Sequence, residues 1–134
     1  MSEGRPSAGP AGKKKRRKKK AKKAPPSPQR RDNVYVIELD DAIRELPTFR
    51  EVNPNARLDL PCLYVGMTGL TPEQRFANHK AGKKAGKKYV TRFGIRLVPE
   101  LYVGLNPMTR EQAKAEEPAL AERLRKCGFA VWQN

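Results

Sequence analysis

Four side chains have the types and the spacing that phosphate chemistry requires. Tyr35 lies in NVYVI and Tyr64 in CLYVG, two short apolar segments that are typical of strands. Arg75 and His79 follow four residues apart, which places both on one face of a helix. A guanidinium matches the geometry of phosphate oxygens, and a histidine near tyrosine hydroxyls can tune proton transfer. The pattern predicts a cleft that binds phosphate.

Each of these residues also has a structural interpretation, which spacing alone leaves open. A tyrosine in a strand is more often a half-buried sheet residue, and a lone histidine is more often structural than catalytic. Gly66 follows Tyr64 by two residues, and a glycine inside a strand usually marks a bulge or a close backbone approach. Beside Tyr64, this glycine predicts open space in which a ligand could sit.

A carboxylate for the same cleft comes from the last predicted helix, where Glu116 and Glu117 are adjacent. One of them, facing the cleft, could hold a Mg²⁺ ion, because hard divalent cations prefer oxygen ligands. At least one of the two lies on a solvated helix face. Composition and spacing do not choose between them.

A basic segment without any acidic residue spans positions 80–96. We expect it to contact phosphate backbones, and a solvated basic face is the alternative. Tyr89 or Phe93 could stack on a base, although core packing is expected of at least one of them. The basic side chains of the segment are Lys80, Lys83, Lys84, Lys87, Lys88, Arg92 and Arg96.

The whole chain has 134 residues and a net charge of +15, which indicates one domain and a polyanionic partner. Its two cysteines, Cys62 and Cys127, lie in no cluster of metal ligands, so neither zinc nor a disulfide scaffold is indicated. No apolar run is long enough to cross a bilayer. We expect an intracellular protein without a membrane partner, in the cytoplasm or nucleoid of a bacterium or the nucleus of a eukaryote.

The positive charge is concentrated near the N-terminus. Residues 1–32 carry 13 lysines and arginines against 2 acids, while residues 33–134 carry 16 against 12. The first segment has almost no large apolar side chains and is predicted to be a disordered tail that attracts phosphates without reading bases. A solubilising or import-type tail is the alternative.

The elements that would position these side chains follow the order β, an irregular excursion over about 40–61, β, α, β, α, β. Thr48 is a candidate cap for a short helix in the excursion, and Thr71 and Thr109 are candidate caps for the two main helices. A strand near 95–98 and extended chain up to residue 103 are predicted before the last helix, where Pro118 predicts a kink or restart. The fold class is α+β, a small mixed or antiparallel sheet of three to four strands flanked by helices.

Taken in this order, the segments VYV and LYVG, the helix with its arginine and histidine, and the later helix with its glutamate resemble the GIY-YIG nuclease superfamily. The resemblance covers residues 33–134, with an insertion at about 40–61. Glu117 is preferred over Glu116, because Ala113 and Glu117 match the family's alanine-to-glutamate spacing. The resemblance implies catalytic roles for Tyr35, Tyr64, Arg75, His79 and Glu117, and a place for Gly66 beside the nucleic acid.

This resemblance implies metal-dependent hydrolysis of phosphodiester bonds, with nucleic acid as the partner and DNA favoured over RNA. Glu117 would hold one Mg²⁺ or Mn²⁺ ion, and Arg75 would bind the phosphate oxygens. Tyr35 would be the general base, while Tyr64 and His79 would position or polarise the attacking water. Because free tyrosine has a pKa of about 10, a nearby cation would have to lower that pKa.

Two other functions remain open at this point. The first is a catalytically inactive relative that binds nucleic acid, for example on a ribosome or a nucleoid. The second is a protein-interaction module that the tail merely localises. Divalent-dependent cutting that a Glu117→Ala variant loses would distinguish the nuclease from the inactive relative. The interaction module predicts that deletion of residues 1–32 removes nearly all nucleic-acid affinity, with no contribution from residues 80–96.

Overall fold

The computed structural model describes residues 29–82 and 88–133, with Lys88 described by its backbone alone. Four strands form one sheet: β1 (Asn33–Leu39), β2 (Cys62–Thr68), β3 (Gly94–Leu97) and β4 (Ala130–Gln133). The α-helices are α1 (Pro47–Glu51), α2 (Pro72–Lys80), α3 (Lys88–Phe93) and α4 (Arg110–Lys126). The predicted α+β class with a mixed four-stranded sheet is confirmed.

The sheet has the order β3-β1-β2-β4, so β1 and β2 form its centre. Their β-branched and aromatic residues bury both faces, and the two strands pair antiparallel along their whole length. On the outer sides, β3 pairs antiparallel with β1, and β4 pairs parallel with β2. The central pair is therefore fixed from both sides, which makes it a rigid support for side chains.

The two main helices begin with the predicted caps. Thr71 and Thr109 each accept a hydrogen bond from the backbone N–H of the third helical residue, a glutamine that bonds back to the cap. The helix α4 ends before Gly128, whose φ of 107° suits a glycine. It also runs through Pro118 without a break, so the predicted interruption does not occur.

The excursion between β1 and β2 is ordered by two apolar anchors, Ile43 and Phe49, which are both buried in the core. Ile43 lies in a 3₁₀ segment over Asp41–Glu45, and Phe49 lies in α1. The predicted cap at Thr48 was wrong by two residues. The helix starts at Pro47, a residue that suits the first helical position, and Leu46 precedes it without a side-chain cap.

Extended chain was also predicted up to residue 103, and this was wrong beyond Val98. Two 3₁₀ segments follow instead, over Pro99–Leu101 and Val103–Leu105. Just after these segments, the Asn106 side chain pairs with the backbone of Val34. Its amide oxygen accepts from the Val34 N–H at 2.9 Å, and its amide nitrogen donates to the Val34 carbonyl at 2.7 Å.

The folded part starts slightly earlier than the boundary predicted after residue 32. Asp32 is buried, and its backbone exchanges two hydrogen bonds with Met108, each 2.9 Å long. The predicted disordered tail otherwise falls mainly on residues 1–28, which lie outside the described residues. Within 29–82 and 88–133, no helix has the length and apolar composition that a bilayer crossing requires.

Candidate active site

The two strand tyrosines lie on the same face of the central strand pair. Tyr35 is directly opposite Gly66, and Tyr64 is directly opposite Ile37. Because residues two apart on a strand share a face, Tyr35, Tyr64 and Gly66 all point to one side. The tyrosines are 1% and 2% exposed, and their ring centroids are 6.2 Å apart. The sheet register thus brings together two phenols that are far apart in the sequence.

Gly66 leaves room for the end of the Tyr35 ring. A Cβ atom at position 66 would lie 2.6 Å from both the Cζ and the Oη atom of Tyr35, closer than van der Waals contact allows. The open space that the sequence predicts for a ligand beside Gly66 is therefore filled by Tyr35. The glycine's structural effect is to let the phenol cross the neighbouring strand.

The helix α2 contributes His79 to the same cluster. His79 is fully buried, and its Nε2 atom lies 3.0 Å from the Tyr35 Oη atom. Its ring meets Tyr64 edge-on, with the centroids 5.8 Å apart. The carbonyl of His79 also accepts a 2.8 Å hydrogen bond from the Thr91 hydroxyl, which ties the end of α2 to α3. Both phenols and the imidazole therefore form one buried group.

Arg75 lies one turn earlier on α2 and is only half-buried. Its guanidinium lies close enough to the Tyr35 hydroxyl to work towards a lower pKa of that phenol. Among the side chains of this cluster, Arg75 keeps the largest contact with solvent. It is therefore the group that an incoming anion would meet first.

The helix α4 contributes Glu117 rather than Glu116. Glu117 is 9% exposed and belongs to the buried stripe of α4, in line with Ala113 and Ala121. Its negative charge acts on both tyrosines. Glu116 instead forms an ion pair with Arg123 on the outer side of the helix. The two adjacent carboxylates thus have different surroundings, one in the cluster and one outside it.

The electrostatics of the cluster keep both phenols neutral at neutral pH. Burial is the largest cause that raises the pKa of Tyr35, and Glu117 adds to it, while Arg75 works in the opposite direction. For Tyr64, burial and then the charges of Tyr35 and Glu117 raise the pKa well above its usual range. The cation that a tyrosine base requires is therefore present, but burial outweighs it.

Glu117 is the one carboxylate in this cluster that a divalent ion could use as a ligand. In the described part of the chain, no group of three or more His, Cys, Asp or Glu side chains is placed to hold a metal. Mg²⁺ commonly binds through one or two carboxylates and completes its shell with water and substrate phosphate oxygens. A single buried glutamate beside a half-exposed arginine fits that mode of binding.

The predicted basic segment is only partly described. Lys80 donates to the carbonyls of Thr91 and Gly94, at 3.3 and 2.9 Å, so it supports the fold. Arg92 is exposed and lies 4.7 Å above the ring of Phe93, and Arg96 pairs with Glu38 on the sheet edge. Lys83, Lys84, Lys87 and the side chain of Lys88 lie outside the described residues.

Sequence reasoning missed the position of Trp132. In the parallel pairing of β2 with β4, Trp132 is the direct neighbour of Tyr64, so it shares the face of the tyrosines. Tyr89 of α3 packs against its ring, with the centroids 4.9 Å apart. A strand at the end of the chain is predicted from the sequence, but its neighbour in the sheet is set by non-local pairing.

Comparison with family models, with curated proteins and with solved structures finds no match to this chain. A functional interpretation therefore depends on the side chains themselves. Their arrangement offers a half-exposed guanidinium for an anion, a carboxylate for a cation, and a phenol in contact with an imidazole for proton transfer.

Proposed function

We propose that this chain is a metal-dependent endonuclease of the GIY-YIG type, which hydrolyses phosphodiester bonds in nucleic acid, with DNA favoured. The observation that carries the proposal is the convergence of side chains from β1, β2, α2 and α4 on one buried group. Its centre is the 3.0 Å contact between the Tyr35 hydroxyl and His79. The converging side chains are Tyr35, Tyr64, Arg75, His79 and Glu117.

Arg75 binds the non-bridging oxygens of the scissile phosphate and stabilises the charge that builds up on them. Glu117 would hold a Mg²⁺ or Mn²⁺ ion. Such an ion, when bound, supplies charge stabilisation on the phosphate and on the leaving oxygen. Tyr64 is buried beside Tyr35 and acts as a positioning residue, because its neutral phenol fixes the orientation of its neighbour.

A neutral phenol can take a proton from water only when it passes its own proton on. Tyr35 is neutral, and its hydroxyl contacts His79 Nε2 at 3.0 Å. In the proposed step, Tyr35 Oη accepts a proton from the attacking water while its own proton moves to the unprotonated Nε2 of His79. The hydroxide oxygen forms a bond to phosphorus, and the bond from phosphorus to the leaving oxygen breaks. His79 is thus the final proton acceptor.

The test is incubation of the purified chain with supercoiled plasmid, a branched DNA and a structured RNA, in Mg²⁺, in Mn²⁺ and in EDTA. Tyr35→Phe removes the hydroxyl that contacts His79, and we expect it to abolish metal-dependent cutting. Tyr102→Phe is the matched control, because Tyr102 is also a buried tyrosine but has no ring contact with the cluster. Equal cutting by both variants would remove Tyr35 from the mechanism.

A second function is favoured by the depth of the cluster. Tyr35, Tyr64 and His79 are almost completely covered, as a purely structural hydrogen-bonded core would be. A nucleic-acid-binding protein that keeps this core without catalysis would bind all three substrates and cut none of them. The Tyr35→Phe variant would then bind as well as the wild type.

A further inference from the structure

Trp132 is the only tryptophan of the chain, and it lies next to the proposed catalytic face. It occupies β4, the outermost strand on one side of the sheet, and is only partly buried. Its direct neighbour across the parallel pair is Tyr64. The large, flat side chain of Trp132 therefore lies one strand away from the buried cluster, on the same face of the sheet and in contact with solvent.

Tyr89 and Phe93 of α3 extend this aromatic surface. Tyr89 meets Trp132 at a centroid distance of 4.9 Å with the rings inclined by 69°, and Phe93 follows at 6.5 Å from Tyr89. Phe93 is buried and serves the core, whereas Tyr89 is partly exposed. Arg92 covers the Phe93 ring and adds a positive charge at the border. A solvent-accessible aromatic pair next to a cation suits a nucleobase attached to a phosphate.

We propose that Trp132 stacks on an unpaired base of the nucleotide next to the scissile phosphate, so that the substrate carries an unpaired base at the cutting position. The proposal rests on the nucleic-acid substrate of the proposed function. The strands β1 and β4 are separated by two strand spacings, roughly 10 Å. Arg75 would hold the phosphate beside Tyr35 at one end of this distance, and Trp132 would hold a base at the other.

Stacking on a side chain requires a base that is not already stacked within a duplex. An intact duplex offers its bases only by their edges in the grooves. Some nucleic acids already contain unstacked bases, so no free energy is needed to unstack one. They are flaps, loops, nicks with a frayed end, and single strands. Stacking also tolerates any base, so the inference predicts recognition of structure and no strong sequence preference.

The intrinsic fluorescence of Trp132 reports this contact directly, because no other tryptophan contributes emission. The full-length protein is titrated in EDTA, which prevents metal-dependent cutting, with three probes. The first probe is an oligothymidine of about 12 nucleotides, a length within the range of single-strand site sizes. The second is a fully paired hairpin with the same number of phosphates, and the third is inorganic polyphosphate. Binding of each probe is followed independently by sedimentation.

We expect the oligothymidine to quench the tryptophan emission at least about two-fold more than the hairpin or the polyphosphate does, even though all three bind the basic chain. Equal quenching by all three probes would overturn the stacking proposal. Binding of the oligothymidine with unchanged emission would also overturn it, since Trp132 would then lie away from the bases.

Variants of the aromatic side chain give a second readout. Trp132→Leu should weaken binding of the oligothymidine about 10-fold at about 0.2 M salt, where tail electrostatics are reduced. Trp132→Phe should stay within about 3-fold of the wild type, because a phenyl ring still stacks. Phe129→Leu changes a partly buried aromatic just before β4 and should bind normally. Equal affinity of Trp132→Leu and Phe129→Leu would contradict the proposal, provided that both melt as folded proteins.

This outcome is separate from the outcome of the nuclease test. Selective quenching in a protein that never cuts would support the stacking site and reject the nuclease. Cutting of nucleic acid without selective quenching would support the nuclease and reject the stacking site.

Discussion

The tyrosine cluster and the pocket at the carboxyl end of α4 differ in what they offer a ligand. The pocket has a volume of about 620 Å³ and is formed by residues 52–57, 122 and 125–129. The cluster is buried and tightly packed around Tyr35, Tyr64 and His79. The pocket and the cluster of tyrosine and histidine side chains thus lie in different parts of the fold.

The polar side chains of the pocket are largely engaged in hydrogen bonds and ion pairs with neighbouring residues. The Asn53 side-chain oxygen accepts from the Val131 N–H at 2.8 Å, and Arg125 donates to the Val131 carbonyl at 3.0 Å. Arg57 pairs with Asp59 at 2.6 Å. We therefore assign structural roles to these groups, and volume alone is a poor guide to function here.

Replacement of one arginine in each region by alanine is expected to give the largest difference in cutting rate. Arg75→Ala removes the half-exposed guanidinium beside Tyr35, and cutting should slow about 100-fold or more, as for the loss of one donor to a developing charge. Arg125→Ala should leave cutting per folded molecule unchanged. Initial rates on nicked plasmid, with protein folding checked by circular dichroism, measure both. An equal loss of cutting rate in the two variants would show that the two regions do not differ in function.

Glycine exchange tests how tightly the cluster is packed. Gly66→Ala places a methyl group 2.6 Å from the Tyr35 ring and should lower the free energy of unfolding by about 1–3 kcal/mol, the usual cost of overpacking. Gly69→Ala is the matched control, because a Cβ there meets no atom within 4 Å. Urea denaturation of both variants makes the comparison. A Gly66→Ala variant as stable as Gly69→Ala would show that the cluster can relax.

The alkaline stability of the protein tests the buried phenols. The pKa of Tyr64 is raised in the folded state, so its stabilising contribution is complete below the unfolded pKa of about 10. Above that pH the unfolded chain loses the proton first, and stability should fall by about 1.4 kcal/mol per pH unit through this one group. The difference in unfolding free energy between wild type and Tyr64→Phe, measured by urea denaturation between about pH 9 and pH 11, should change accordingly. A pH-independent difference would mean that Tyr64 is solvated.

The smallest effect is expected at the pocket. Asn53→Ala removes the acceptor of the Val131 N–H and the donor to the Phe49 carbonyl. The free energy of unfolding should fall by about 1–2 kcal/mol, since each such hydrogen bond has a net value of about 1 kcal/mol. Cutting per folded molecule should stay the same. Asn55→Ala, an exposed neighbour in the same pocket, should change neither quantity. A loss of cutting in Asn53→Ala would assign function to the pocket.

Local signals in the sequence were sufficient for much of this fold. The caps Thr71 and Thr109 were predicted because their hydrogen bonds involve only near neighbours. The strands around Tyr35 and Tyr64 were predicted from their β-branched residues. Such features require no knowledge of the rest of the chain.

Features that depend on non-local contacts could not be predicted in this way. The pairing of the Asn106 side chain with the backbone of Val34 joins residues 72 positions apart in the sequence. The filled space beside Gly66 depends on the strand register, and the position of Trp132 depends on a parallel pairing at the sheet edge. The candidate site itself could be predicted as a set of residues, whereas its burial could not.

The most direct test of the central claim compares two adjacent carboxylates that the fold separates. Wild type, Glu117→Gln and Glu116→Gln are incubated with supercoiled plasmid in Mg²⁺ and in EDTA, and nicking rates are measured. The account predicts that wild type and Glu116→Gln nick the plasmid only in Mg²⁺, while Glu117→Gln is at least about 100-fold slower. Absence of nicking by the wild type, or equal nicking by Glu117→Gln, would contradict it.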